Sequence, residues 1–132
     1  MIVVDTSALI AIVFEEPDAD RYVAALSEAD AAFIAPVNYV EAGVLFQRRG
    51  RFATSENFGS WLAGAGVEPR NDLSLSEAAL DAYIRFGKGF HPARLNLADC
   101  FAYALAKALD APLLYKGDDF AMTDIRSAVQ PT

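Results

Sequence analysis

The chain has one cysteine and one histidine in 132 residues. The single thiol, Cys100, excludes an intrachain disulfide and fits a reducing compartment. Its apolar neighbours mark it as a small buried side chain and not a nucleophile. Long apolar runs are also missing: the longest candidate, residues 8–14, is far shorter than the ~18–20 residues of a membrane span. The N-terminus has no basic segment and Asp5 interrupts its apolar run, so neither a secretory signal nor a membrane association is expected, and the expected location is the cytoplasm. Repeats, linkers and low-complexity stretches are absent. Basic charge is scarce, with 11 Lys and Arg against 18 Asp and Glu, a formal net charge of −7. That excludes nucleic-acid binding by bulk charge, although local charge can differ from the sum. Arg48, Arg49 and Arg51 form one basic knot; Lys88, His91 and Arg94 form another.

What is present is apolar and globular: 54% hydrophobic and 22% charged residues. That composition and length predict one domain spanning 1–132 with a sizeable core. The organising stretch is Met1-Ile2-Val3-Val4-Asp5-Thr6-Ser7. Its β-branched run reads as a short strand covered on both faces, as in a parallel sheet. It stops at a carboxylate and two hydroxyls, and an apolar helical pattern (8–14) begins at once. Pro17 suggests the first position of a second helix, 18–27, with Val23 and Leu26 inward. Residues 31–35 have strand character, and Pro36 opens a helix, 37–49, stopped by Gly50. A helix over 55–63 carries Phe58, Trp61 and Leu62 on one side; Val67-Glu68-Pro69 reads as an edge strand. Ser74 and Glu77 have capping-box spacing for a helix through Phe86. A glycine- and proline-marked loop, 87–92, precedes a long helix over 97–109, a strand over 112–115 and a turn at Gly117. Val129 falls in a possible last strand. Strands alternating with helices predict a three-layer α/β/α domain with a central parallel sheet of four to five strands. Right-handed crossovers would bring the carboxyl ends of those strands to one edge.

Several carboxylates are distributed so that they can meet at that edge. Asp5 ends the first strand, where α/β sheets place their ligands, although Asp is equally a favoured helix N-cap. Glu41 shares a helical stripe with Val37, Val44 and Leu45, and a carboxylate on a buried face needs a partner or a metal. Asp99 is the third residue after the N-cap Asn96, a position that complements the helix dipole, yet it also shares a stripe with Ala102, Tyr103 and Ala106. Asp118 and Asp119 follow the late strand across a turn, where Asp needs no function. Together, carboxylates gathered at one edge repel each other and raise their pKa values unless a cation intervenes. Hard oxygen donors without a Cys/His cluster point to Mg²⁺ or Mn²⁺ and not zinc. The chemistry that follows is phosphodiester hydrolysis by an activated water.

These stretches also carry a resemblance. Residues 2–9, Pro36 to Glu41, Leu95-Asn96-Leu97-Ala98-Asp99-Cys100-Phe101-Ala102-Tyr103-Ala104-Leu105-Ala106 and Pro112-Leu113-Leu114-Tyr115-Lys116-Gly117-Asp118-Asp119-Phe120 are similar, in order and spacing, to the PIN-domain ribonucleases, and within them to the VapC toxins of toxin–antitoxin pairs. The resemblance implies Asp5 and Asp99 as principal Mg²⁺ ligands. It makes Glu41 a third acid, as ligand or water-orienting group, and Thr6 or Ser7 the hydroxyl supporting Asp5. The frequent Thr-x-Asp ahead of the Asp-Phe pair is replaced here by Tyr115-Lys116-Gly117, so Asp118 or Asp119 must supply the fourth acid, or three acids suffice. Ala98 replaces a frequent Gly. The resemblance further implies RNA as substrate, a homodimer, a VapB-type antitoxin whose tail fills the active-site groove, and contact with DNA only through that antitoxin. Arg48, Arg49, Lys88 and Arg94 are candidates for phosphate contacts; His91 is expected to be structural or RNA-contacting.

Two other readings compete. A phosphorylated receiver domain is also a small α/β domain with an acidic pocket and a lysine near a late strand, here Lys116. It would want an acidic pair after the first strand and an Asp after the third, and neither is present. The missing Thr-x-Asp feature leaves open a PIN-like module that binds RNA or a partner without cleaving.

Overall fold

Ile2, Val3 and Val4 form β1 (Ile2–Val4), and the alternation of a strand sends them to two different cores. Val3 packs with one cluster of buried side chains, while Ile2 and Val4 pack with another. A strand buried on both faces is the signature of a parallel sheet. In the computed structural model, which describes residues 1–129, β1 pairs in parallel with β2 (Ala32–Ile34) and with β4 (Leu113–Leu114). Val3 stands opposite Phe33 on one side and Leu113 on the other. β3 (Val67–Pro69) pairs outside β2, so the order is β3-β2-β1-β4 with every pair parallel.

Four helices cover the Ile2 and Val4 face: α1 (Thr6–Val13), α2 (Ala19–Glu28), α3 (Pro36–Arg48) and α4 (Ser55–Gly64). Their core is built on Leu9, Ile34, Phe46, Phe58 and Leu62. Phe46 lies at its centre, with Phe14, Phe52 and Phe58 ring centroids 5.7–5.8 Å away. The opposite face carries α5 (Ser76–Phe86) and α6 (Leu97–Ala108), packed through Phe86, Leu105 and Leu113. Ala98, Ala102, Ala104 and Ala106 are buried along α6, and these small side chains let the helix lie close to the sheet. The result is the expected three-layer α/β/α architecture. All strand carboxyl ends meet at one edge, where Asp5, Ala35 and Tyr115 emerge.

Among the described residues the sheet has four strands, within the expected four to five, and in place of a fifth there is one bridge. Ser127 pairs with Leu113, fixed by bonds from Leu113 N to Arg126 O and from Ala128 N to Leu113 O, both 2.9 Å. Val129 joins no strand, and the expected domain end at Thr132 lies outside the described residues. Pro17 is not a first helical residue; Asp18 takes the N-cap of α2, whose buried side chain is Tyr22 while Val23 faces outward. No capping box forms between Ser74 and Glu77, because Leu75 is the N-cap of α5. Cys100 is buried, as expected. His91 is structural: its Nδ1 accepts from Ala93 N at 3.0 Å, and its ring meets Phe86 edge-on.

Gly87 ends α5 where no other residue fits. Its N–H donates to Tyr83 O at 2.7 Å, and an added Cβ would collide with that same carbonyl and with the Tyr83 ring. Relieving such a backbone clash costs about 1–3 kcal/mol. Gly87→Ala is therefore expected to lower the thermal midpoint by several degrees; an unchanged melting curve would contradict the packing described for this helix end.

Candidate active site

Asp5 is both a helix cap and a buried acid. With extended backbone after β1, it serves as the N-cap of α1, its Oδ2 accepting from Ser7 N at 3.0 Å and from Ser7 Oγ at 2.6 Å. Ser7 Oγ in turn accepts from Lys116 N at 2.9 Å, which ties Asp5 to the loop after β4. Of the two candidate hydroxyls, Ser7 holds Asp5, while Thr6 Oγ1 donates to the Asn38 carbonyl at 3.3 Å. The other carboxylate oxygen, Oδ1, receives a long bond from Asn38 Nδ2, 3.4 Å. Asp5 is 3% exposed, and burial pushes its pKa up to about 6; the Ser7 bonds oppose that shift and the Glu41 charge adds to it.

Asp99 repeats the pattern from the first turn of α6. Asn96 caps the helix and accepts from Asp99 N at 2.8 Å, while Asp99 Oδ2 accepts from Asn96 N at 2.9 Å, a complete capping box. Asp99 Oδ1 accepts no bond from the described residues. Burial again leads in raising the pKa, here to about 7, followed by the charge of Asp5 and then, beyond the opposing Asn96 bond, those of Glu41 and Asp119. Capping and site geometry therefore coexist, because each cap uses one carboxylate oxygen and leaves the other open.

Glu41 does not lie on the buried face of α3. That face is Asn38, Ala42 and Phe46, whereas Val40 and Val44 are exposed. Glu41 sits half-buried at the flank, between a cleft lined by Pro36, Val37, Val40, Asn96, Leu97 and Ala98 and a depression lined by Val44, Leu45, Arg48 and Arg49. Asp118 and Asp119 are both exposed, and they separate by surroundings. Asp119 precedes the 3-10 turn Phe120–Met122 and acts electrostatically on Asp99. Asp118 lines a different depression with Asp18, Tyr22 and Lys116. There Lys116 Nζ bridges Glu16 at 2.7 Å and Asp18 at 2.9 Å, clamping the α1–α2 connection to the loop after β4.

Among the described residues no three acidic, imidazole or thiol groups converge tightly enough to form a ready-made metal cage. The donors fit a less demanding occupant. Mg²⁺ keeps several waters and takes one or two carboxylates plus substrate phosphates. A buried carboxylate, Asp5, and a half-buried one, Asp99, each with one oxygen not committed to a helix cap and each raised by burial and then by neighbouring acids, are the hard donor set that such an ion suits. The residue that sequence reasoning missed is Asn38, fully buried between α1, α3 and α6. Its signal was a weak helix former inside a helix, three residues before Glu41.

The PIN domain family model matches residues 2–125. The chain is 38% identical over 130 residues to ribonuclease VapC30 of Mycobacterium tuberculosis, covering 98% of this chain and 99% of that one. The chain belongs to the PIN-domain VapC family. Two solved structures share the fold at 17% identity. One is the sarcin–ricin loop cleaving toxin VapC20 of M. tuberculosis, with a TM-score of 0.76 over 99% of this chain and 100% of that one. The other is a toxin–antitoxin complex from Klebsiella pneumoniae, with a TM-score of 0.68 over 94% and 93%. Within the PIN family, the Tyr115-Lys116-Gly117 departure now has a local explanation. Gly117 has φ 108°, a conformation that side-chain-bearing residues rarely adopt, so an Asp there would be strained. Family membership also leaves the receiver reading without support, since β3 ends at Pro69 with no acid following directly.

Proposed function

We propose that this PIN-domain protein is an endoribonuclease toxin that hydrolyses RNA phosphodiester bonds, with Asp5 and Asp99 as the principal ligands of Mg²⁺ or Mn²⁺. The observation that carries the reading is a partly buried carboxylate facing acids from separate elements: Asp99 in α6 is raised first by burial and then by Asp5 after β1, Glu41 in α3 and Asp119 after β4. A bound divalent ion supplies an activated water and neutralises charge developing on the phosphate. Asp5 and Asp99 present their open oxygens to it. Glu41, at the mouth of the cleft, orients the attacking water or adds a ligand. Ser7 holds Asp5 in its rotamer, and Asp119 is the fourth acid in place of the residue that Gly117 displaces.

The RNA backbone would approach across the Arg48 and Arg49 side of Glu41, where local positive charge offsets the acidic total. Lys88 and Arg94 are exposed on the loop leading into α6 and are further candidates for phosphate contact. The exposed apolar residues beside the acids, Val40, Val44 and Leu97, suit the tail of a VapB-type antitoxin, in keeping with the toxin–antitoxin pairing of the Klebsiella relative in fold. Such a protein works as a homodimer in the cytoplasm and meets DNA only through its antitoxin. None of the described helices is long and apolar enough to cross a membrane.

Incubating the purified protein with RNA in Mg²⁺ and in chelator tests the activity. Cleavage only with the metal is expected, and cleavage unaffected by chelation would refute the assignment. Exchanging the two late acids tests the fourth position. Asp119→Asn is expected to slow cleavage about 10–100-fold, the usual range for a residue supporting a metal site. Asp118→Asn should leave the rate within about twofold, since exposed substitutions away from a site have small effects. The reverse order of the two would move the fourth acid to Asp118.

A further inference from the structure

We propose that Asn38 is a positioning residue whose side-chain amide sets the separation of the Asp5 carboxylate from the first turn of α6, and thereby the affinity of the site for a divalent cation. This rests on the metal assignment above and adds a residue to it. Asn38 is 0% exposed inside α3, although Asn is a weak helix former and a buried polar group is costly unless bonded. One nitrogen, Nδ2, faces two acceptors: Asp5 Oδ1 at 3.4 Å and the Ala98 carbonyl at 3.1 Å, one residue before Asp99. Two acceptors on the same side set the orientation of the amide, because the flipped form would turn its oxygen against a carboxylate and a carbonyl. The backbone carbonyl of Asn38 also accepts from Thr6 Oγ1 at 3.3 Å. One residue thus joins the first turns of α1, α3 and α6, the elements that carry or follow Asp5, Glu41 and Asp99.

Stability alone does not account for this residue. The bond to Asp5 is long, and Asn38 Oδ1 is buried without a hydrogen-bond partner among the described residues, which is a cost. A leucine has the same number of side-chain heavy atoms and the same branching, without that orphaned acceptor. The arrangement makes sense as a strut: it holds Asp5 toward α6 through a weak bond and leaves Oδ1 of Asp5 able to take a cation.

The test is a Mg²⁺ titration followed by thermal unfolding, on the wild-type chain, Asn38→Leu, Asn38→Ala and an Asp5→Asn control. In chelator, Asn38→Leu should melt close to wild type and Asn38→Ala lower, owing to the cavity it leaves. Both should need about tenfold or more Mg²⁺ to reach half of the metal-induced shift, the usual consequence of losing a group that orients a metal ligand. A merely structural Asn38 would change the chelated midpoint and leave the Mg²⁺ requirement alone. Wild-type Mg²⁺ midpoints in both variants, with a clear wild-type response absent in Asp5→Asn, would overturn the proposal and spare the metal site. No Mg²⁺ response in the wild-type chain would overturn both.

Discussion

Asp5→Asn is expected to lower Mg²⁺-dependent RNA cleavage by at least about 10³-fold, since losing a principal ligand removes several kcal/mol of charge stabilisation and each ~1.4 kcal/mol is tenfold. The same substitution should leave the domain folded. Asn is as good an N-cap as Asp, and its carbonyl oxygen can take over the bonds from Ser7 N and Ser7 Oγ. In the metal-free protein at pH 8 it should even raise the thermal midpoint, because it removes a buried charge whose ionisation burial opposes. Asp99→Asn should behave alike, its amide oxygen still able to accept from Asn96 N in the capping box. Cleavage assays and melting curves on the same preparations separate the two effects. A folded, fully active Asp5→Asn would refute the assigned role, and a folded wild-type chain with no cleavage of any RNA would favour the non-cleaving module.

The second large effect is an inverted pH dependence of the metal-free protein. Asp5 and Asp99 have pKa values raised to about 6 and about 7, so the folded chain binds protons that the unfolded chain has already released. Stability therefore rises as the pH falls from 8 towards 5, and the penalty of the ionised pair is fully present above the raised values. With Asp99 only partly buried and both groups coupled, the gain is of the order of 2 kcal/mol. Below about pH 4 the sign reverses, because Asp18, Asp30, Asp72 and Asp124 have lowered pKa values and lose favourable partners on protonation. Mg²⁺ at neutral pH should flatten the upper limb by neutralising the pair. Chemical denaturation at pH 5, 6.5 and 8, with chelator and with Mg²⁺, checks this. Stability that rises with pH in chelator would contradict the electrostatics of the site.

The strand-end logic was legible because β1, β2 and β4 are short, apolar and followed at once by a helix or a turn. Their carboxyl ends then had to share an edge, which brought Asp5 and Asp99 together. Asp5 and Asp99 looked ambiguous between cap and acid for a physical reason: each caps its helix with one oxygen and keeps the other free of the cap. Glu41 was placed on a buried stripe because Val37, Val44 and Leu45 share its spacing. Periodicity marks an apolar face without saying whether anything covers it, and Val40 and Val44 remain exposed beside the acids. Ser74 and Glu77 had capping-box spacing, yet Leu75 caps α5, so residue type at the right offset did not determine where the helix starts. Asn38 was passed over because its value lies in contacts 33 and 60 residues away, with Asp5 and Ala98, which no local pattern reveals. The choice between Asp118 and Asp119 likewise depends on the direction in which the turn at Gly117 sends the chain.

A crystal of the protein soaked in Mn²⁺, with anomalous difference density collected at the manganese edge, gives the most direct test. The expected result is a peak within bonding distance of both Asp5 and Asp99, lost in Asp5→Asn crystals treated the same way. A peak elsewhere on the molecule, or none at these two carboxylates at saturating Mn²⁺, would contradict the shared cation on which the nuclease reading depends.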